Sequence, residues 1–159
     1  MLCAQDKSNA VGILNMSMQD LDVQICHSLY SATNALIRAY RPLLSPLDLT
    51  YPQYIVMLSL WQQDHVSIKE LGEHTRFDSG TLTPILKRLE FKGWILRQLS
   101  ELDERQKVIT LTAEGKKLKR AAKKIPEKIA CSLKLDLAKA IQFKAQCEEL
   151  YAQLKLMEA

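Results

Sequence analysis

Cys26 is the residue of this chain whose neighbours most clearly indicate chemistry, because Tyr30 follows it after four residues, one turn of a helix. Thr33, Ile37 and Tyr40 continue the pattern at offsets of 7, 11 and 14, so in a helix these side chains share one stripe. Tyr30 can touch the Cys26 thiol within the chain. Tyr40 lies roughly 21 Å from Cys26 along the helix. Tyr40 can therefore contact a Cys26 side chain only if that cysteine belongs to a second copy of the chain.

Two interpretations of a cysteine in an apolar helix compete: small filler or reactive group. Cys147 fits the first, because it lies on the apolar stripe of the last predicted helix. No Lys or Arg lies within a turn of Cys26, and Asp22 would oppose a thiolate, so the charged residues nearby in the sequence do not activate this thiol. Neither a metal site nor a cofactor is expected, because no ligand set is completed by the histidines, His27, His65 and His74.

Composition indicates one soluble domain: 159 residues, 47% of them hydrophobic and 25% charged. No apolar run is long enough to cross a membrane, and the N-terminus lacks the features of a secretory signal. We therefore expect a cytoplasmic protein without membrane contact, whose cysteines begin as thiols. The net charge of +4 arises mainly in 112–139, which is either a solvated basic face or a weak phosphate contact.

The elements that must position the cysteine begin after a tail, residues 1–17, that has no usable period and is predicted to be disordered. Asp20 or Asp22 is predicted to cap a long first helix that runs until Pro42 and Pro46. The sequence TYPQ at 50–53 is a capping box and opens a second, buried helix.

A helix-turn-helix with a β-wing is predicted next. SIKE at 67–70 is a second capping box that begins a short helix, and SGTLTPILKRLEFKG begins another that ends at Gly93. WILRQL and QKVITL are typical of strands and flank the polar hairpin tip SELDER. A further helix begins at Thr112, Pro126 breaks or kinks it, and a last helix follows. The expected fold is mainly α with a small β-wing.

Winged helix-turn-helix domains usually bind DNA. Binding of another protein instead of DNA is the alternative function for such a domain. Arg105 at the hairpin tip is expected to reach into a minor groove while Asp103 holds its guanidinium in position. The other candidate contacts lie on the second helix and the following strand: Ser79, Thr81, Thr83, Pro84, Lys87, Arg88 and Lys107.

Three stretches, TYPQYIVMLSLW, KELGEHTRFDSGTLTPILKRLEFKGWI and DERQKVITLTAEG, resemble the MarR family of dimeric winged-helix regulators. Within them, DSGTLTPILKRLE is similar to the organic-hydroperoxide-sensing branch, the OhrR type. The resemblance implies that helix 79–92 enters the major groove of double-stranded operator DNA and that Arg105 enters the minor groove. It also implies dimerisation helices at 20–50 and 112–159 around a DNA-binding domain at 51–111.

For Cys26 the resemblance implies the role of peroxide-reactive cysteine, with Tyr30, Tyr40 and Tyr51 hydrogen-bonding around it, the latter two across the dimer. Cys131 lies where the two-cysteine subgroup keeps its resolving thiol. The implied protein is not an enzyme but a homodimeric repressor. Organic hydroperoxides release it from a pseudo-palindromic operator, and low-molecular-weight thiols restore it.

Two other functions remain open. The first is a MarR-type repressor released by a small aromatic ligand, with Cys26 incidental. The second is a thiol peroxidase using Cys26, although that cysteine lacks the cationic neighbour usual in such enzymes.

Overall fold

The computed structural model describes residues 19–99, 107–133 and 136–157. It confirms the predicted fold class, since the described chain is mainly helical with one small antiparallel sheet. Single turns of 3-10 helix at Leu21–Val23 and Ser45–Leu47 precede the first two helices. The elements in chain order are α1 Ile25–Leu44, α2 Tyr51–Gln62, β1 Val66–Ser67, α3 Ile68–Thr75, α4 Ser79–Phe91, β2 Ile95–Leu99, β3 Lys107–Leu111, α5 Ala113–Ala122, α6 Ile125–Leu133 and α7 Leu137–Leu156.

The chain divides into two compact units, Met1–Ala39 and Tyr40–Ala159, at a boundary inside α1. In the first unit, the prediction that α1 begins at Asp20 or Asp22 is wrong. The Asp20 side chain makes no capping hydrogen bond, and Gln24 is extended (φ −81°, ψ 109°), which separates the preceding 3-10 turn from α1. The first helix therefore begins at Ile25, whose side chain is 68% exposed.

In the second unit, both predicted capping boxes are present. The Thr50 hydroxyl accepts the Gln53 N–H, and the Gln53 side-chain oxygen accepts the Thr50 N–H at 3.0 Å. Ser67 and Glu70 exchange the same pair of bonds at the start of α3. The predicted burial of α2 is also confirmed, because seven of its residues are buried: Gln53, Tyr54, Val56, Met57, Ser59, Leu60 and Trp61.

The sheet has the strand order β1–β3–β2 and is antiparallel throughout. The wing pair β2–β3 places Ile95 opposite Leu111 and Leu99 opposite Lys107, as the two predicted strands require. Strand β1, only two residues long, was not predicted; it pairs Val66 with Ile109. The core of this unit forms where the wing base, α2 and α4 meet around buried leucine and isoleucine side chains.

Helix α4 ends where the sequence indicates, in a Schellman motif around Gly93. The Gly93 N–H bonds to the Glu90 carbonyl at 2.8 Å and the Trp94 N–H to the Leu89 carbonyl at 3.1 Å. Gly93 itself has φ +72°, the left-handed conformation that glycine adopts without strain. The chain therefore leaves the helix directly into the wing.

The C-terminal helices follow the prediction in outline. Pro126 lies in the first turn of α6, so it separates α6 from α5, which ends at Ala122. No residue of α7 is buried in the single chain. Cys147 is exposed, so the prediction of a buried apolar filler is wrong for the isolated chain, because no described element covers that face of α7.

Among the described residues no helix is both long and apolar enough for a membrane span.

Candidate redox and nucleic-acid site

Cys26 is exposed and lies in the first turn of α1. Its Sγ donates to Gln24 Oε1 at 3.6 Å. Because α1 begins at Ile25, Cys26 lies in the first turn, at the positive end of the helix dipole. Asp22 belongs to the separate 3-10 turn and not to the first turn of α1, which contains no acidic residue. Asp22 and Cys26 therefore do not share the face of one helix, which was the basis for predicting that Asp22 opposes a Cys26 thiolate.

The predicted stripe starts as expected, because Cys26 and Tyr30 are one turn apart on α1. Tyr30 is 71% exposed. Cys131 lies on α6 and is also exposed, and both thiols are free. Each predicted redox thiol is thus accessible to solvent in the single chain.

The other two predicted tyrosines meet in the second unit. The ring centroids of Tyr40 and Tyr51 are 4.7 Å apart, and Tyr54 lies 5.9 Å from Tyr40. Tyr54 was not predicted as part of this cluster, although its position three residues after Tyr51 places both on one face of α2. The buried Tyr54 hydroxyl has no hydrogen-bond partner within the described part of the chain.

The environment of these rings raises the pKa of their hydroxyls above the ordinary tyrosine value. Burial raises the pKa of Tyr40 to about 12, and the neighbouring phenols of Tyr51 and Tyr54 contribute to the increase. Burial likewise raises the pKa of Tyr51. Both groups thus remain O–H donors even in mildly alkaline solution, the form that can stabilise an anionic oxygen or sulfur.

Helix α4 presents a polar face opposite its buried leucines. All six predicted DNA contacts on this helix are exposed: Ser79, Thr81, Thr83, Pro84, Lys87 and Arg88. Neither Lys87 nor Arg88 forms an ion pair with another described residue. Two cations on one exposed helical face are suited to phosphate contacts.

The start of α4 is capped by an acidic side chain. Asp78 caps the helix: its Oδ1 accepts the Thr81 N–H at 2.8 Å, and its Oδ2 accepts the Thr81 hydroxyl at 2.7 Å. The hydrogen bonds from the Thr81 hydroxyl and N–H lower the pKa of Asp78, so this carboxylate is ionised at neutral pH. Thr81 can therefore offer a ligand only its hydroxyl lone pairs, and a phosphate would meet a negative charge at this helix end.

The wing is braced at its base, whereas its predicted tip contacts, Asp103 and Arg105, lie outside the described residues. Lys107, the third predicted contact, opens β3 and is exposed. Arg97 Nε on β2 donates to Glu90 Oε2 on α4 at 2.7 Å, and the Arg97 side chain is 19% exposed. This pair ties the wing to the helix that carries the predicted base contacts.

Sequence reasoning missed two linking residues. Lys92, after the end of α4, reaches back to Asp48 and Gln53 before and within α2. Arg76 forms an ion pair with Glu148 of α7 at 2.6 Å. Neither has a local sequence signal, because both join segments far apart in the chain.

A family model described as "Transcriptional regulator SarA/Rot" matches residues 38–122. The organic hydroperoxide resistance transcriptional regulator of Bacillus subtilis is 46% identical over 106 residues, which cover 67% of this chain and 72% of that protein. The chain belongs to the MarR/SarA-type family of winged-helix regulators. The predicted membership in its OhrR-type branch is confirmed.

Other relatives agree with this assignment. The transcriptional regulator TtmR of Methylorubrum extorquens is 52% identical over 101 residues, which are 64% of this chain, and the chain spans only about half (52%) of that protein. AbfR of Staphylococcus epidermidis, solved in reduced form bound to DNA, matches with a TM-score of 0.76 at 34% identity, covering 87% of this chain and 95% of that one. AbfR has also been solved in a disulfide form, with a TM-score of 0.63 at 34% identity over 87% of this chain and 93% of that one. The relatives from Bacillus subtilis and Methylorubrum extorquens are transcriptional regulators, a class of protein distinct from enzymes.

Proposed function

We propose that this chain is a redox-sensing transcriptional repressor that binds operator DNA as a homodimer and leaves it when an organic hydroperoxide oxidises Cys26. The observation that carries the proposal is an exposed thiol in the first turn of α1, in a chain related to an organic hydroperoxide resistance regulator. At the level of a redox-sensing repressor, the relatives confirm the function predicted from the sequence.

The proposed chemistry begins with the Cys26 thiolate. It attacks the distal peroxide oxygen, the O–O bond breaks, and the products are a sulfenic acid at Cys26 and an alcohol. Cys131 of the partner subunit then attacks the sulfenic sulfur, which forms a disulfide and releases water. Two equivalents of a low-molecular-weight thiol return both cysteines to the reduced form by exchange.

Two features of the proposed site stabilise the Cys26 thiolate. The N-terminal end of α1 supplies a positive dipole. The partner's Tyr40 and Tyr51 hydroxyls supply hydrogen bonds together with Tyr30 of the same helix. Burial raises the pKa of Tyr40 and of Tyr51, so both stay protonated well above neutral pH. Oxidation removes the sulfur charge that these donors stabilise, and the dimer then favours a spacing that misfits DNA.

The reduced dimer binds a pseudo-palindrome with half-sites about one helical turn apart. Helix α4 enters the major groove with its exposed polar face, and its Lys87 and Arg88 contact phosphates. Arg105, positioned by Asp103, reaches the minor groove from the wing tip, and Lys107 approaches the adjoining backbone. The helices at 20–50 and 112–159 form the dimer contact, which would cover the exposed apolar side chains of α1 and α7.

A band-shift experiment with and without cumene hydroperoxide tests the proposal. Wild-type protein is expected to release its operator on oxidation and to rebind after treatment with thiol. Cys26→Ser should stay bound under oxidant, and release of DNA by that variant would refute the sensing role. On a non-reducing gel, a dimer-sized band that disappears in Cys131→Ser would support the resolving role.

One observation favours the second candidate, release by a small aromatic ligand. A cavity of about 430 Å³ lies between α2 and the α5–α6 segment, with the apolar side chains of Leu58 and Trp61 on one side and Lys119 and Lys123 on the other. Such a lining suits an aromatic ring that carries an anionic group. Release of DNA by a phenolic carboxylate, equal in wild type and Cys26→Ser, would support this candidate instead.

A further inference from the structure

Lys92 follows the last residue of α4, and its ammonium group turns back towards the segment between α1 and α2. The Nζ donates to the main-chain carbonyl of Asp48 and lies 3.0 Å from Asp48 Oδ2 and 3.5 Å from Gln53 Oε1. It also lies 4.9 Å from the centre of the Trp94 ring. With three oxygen acceptors and an aromatic face around it, the Lys92 side chain is only 21% exposed.

The two residues that hold this ammonium group define the start of α2. Asp48 ends the 3-10 turn in a left-handed conformation, with φ 50°. Gln53 is 3% exposed, and its Oε1 is the oxygen that closes the capping box by accepting the Thr50 N–H. Lys92 therefore reaches the same atom that fixes where α2 begins.

The segment 48–53 also carries one of the tyrosines of the proposed sensor. Tyr51 is the first residue of α2, and its ring is 4.7 Å from that of Tyr40, near the end of α1. A displacement of the tyrosine pair would displace the residues that hold Lys92. Because Lys92 directly follows α4, such a displacement would reach the helix with the predicted DNA contacts without passing through the wing.

We propose that Lys92 is a positioning residue that couples the position of the tyrosine pair, which depends on the redox state of Cys26, to the placement of α4. This inference rests on the proposed function, since it concerns how oxidation of Cys26 changes DNA affinity. A direct phosphate contact is the competing role for a lysine at this place. The acceptors around Lys92 oppose that role, whereas Lys87 on α4 is exposed and has no ion pair with a described residue.

The measurable quantity is the redox ratio, the Kd of oxidised protein divided by the Kd of reduced protein. The DNA is a duplex selected in vitro by the reduced wild-type protein, and binding is followed by fluorescence anisotropy. Coupling between sites typically changes affinity by a factor of about 5 to 150. Lys92→Met, which keeps the length of the side chain but removes its charge, is expected to lower the redox ratio at least about fivefold.

Two further measurements separate coupling from a structural effect. The rate at which hydroperoxide oxidises Cys26, followed by trapping the sulfenic acid and measuring mass, is expected to be unchanged in Lys92→Met. Lys92→Arg, which keeps the charge and donors, is expected to recover most of the wild-type redox ratio. If Lys92→Met does not fold, Lys92→Gln replaces it in the same comparison and is expected to lower the ratio likewise.

The matched control is Lys87→Met, which is expected to weaken binding equally in both redox states and so to leave the ratio unchanged. An unchanged ratio in the Lys92 variants, beside a wild type that does release DNA on oxidation, would overturn the inference and leave the proposed function standing. A wild type whose affinity does not respond to oxidation would overturn both. The two failures are therefore distinguishable.

Discussion

The Asp64 carboxylate joins the end of α2 to the base of the wing. Its Oδ1 accepts the N–H groups of His65 at 2.9 Å and Leu111 at 2.8 Å, and its Oδ2 lies 3.0 Å from Lys116 Nζ. The bond to Leu111 is partly buried, and His65 is held with φ 63°, a conformation uncommon for residues other than glycine. We therefore expect loss of this carboxylate to destabilise the domain.

The size of the effect follows from what each variant leaves unpaired. Asp64→Ala removes the acceptor of the Leu111 N–H, which costs about 1 to 3 kcal/mol. Loss of the partly exposed ion pair with Lys116 adds up to about 1 kcal/mol. The free energy of unfolding at pH 7, measured with urea, should fall by about 1 to 4 kcal/mol. Asp64→Asn keeps a side-chain oxygen and should cost about half as much.

The pH dependence provides a sharper assay. Burial raises the pKa of Asp64, but the hydrogen bonds from Leu111, Lys116 and His65 outweigh it, and the folded-state pKa lies below its ordinary value of 3.8. The unfolded chain therefore takes up the proton first as the pH falls. The stabilisation is present above the unfolded pKa and is lost as the pH falls through the folded pKa.

Asp64→Asn should remove this acid-dependent part of the stability, so the difference between wild type and variant should shrink from pH 7 to pH 3. Glu114→Gln is the matched control, because Glu114 is an exposed carboxylate paired only with Lys117 at 2.7 Å among its described neighbours. A difference between wild type and Asp64→Asn that stays constant over this range would refute the role of the carboxylate charge.

Three further predictions concern single side chains. Gly115→Ala should destabilise the fold by about 1 to 3 kcal/mol in thermal unfolding, because a Cβ there would collide with the Trp94 carbonyl oxygen; Gly80→Ala is the control, and equal effects would contradict the prediction. Lys87→Ala should reduce the slope of log K against log salt by about 0.9 for each phosphate that the variant no longer neutralises, whereas an unchanged slope would exclude a phosphate contact by Lys87. Tyr40→Phe should leave the phenolate absorbance gained by pH 11 unchanged, because the pKa of Tyr40 is raised to about 12; a loss of one tyrosine's signal would disprove this.

The local elements could be predicted because their signals are local. Thr50 and Ser67 begin helices through hydrogen bonds to residues three positions ahead, and Gly93 ends one by adopting a left-handed conformation. The prediction of where α1 begins was wrong, because a local capping signal does not show whether the chain continues into the helix. Asp20 has the side chain of an N-cap, but the extended backbone at Gln24 separates its turn from the helix.

The linking contacts could not be predicted, because they depend on which segments meet. Nothing near Lys92 in the sequence indicates Asp48, which lies 44 residues earlier. The pairing of β1 with β3 likewise joins Val66 to Ile109. Strand β1 has only two residues, which is too short for an alternating sequence pattern to be recognised. The placement of Cys26 on a helix with Tyr30 followed from spacing alone, whereas its exposure required the structure.

Both tryptophans of the chain lie against one glycine. The Trp61 indole N–H donates to the Gly115 carbonyl at 2.9 Å, and the Trp94 carbonyl oxygen faces the other side of Gly115, leaving no room for a side chain. Because Trp94 also lies under the Lys92 ammonium group, intrinsic ultraviolet emission should report on the junction between α2, α5 and the wing. A stopped-flow fluorimeter could then time the rearrangement after peroxide mixing in unlabelled protein.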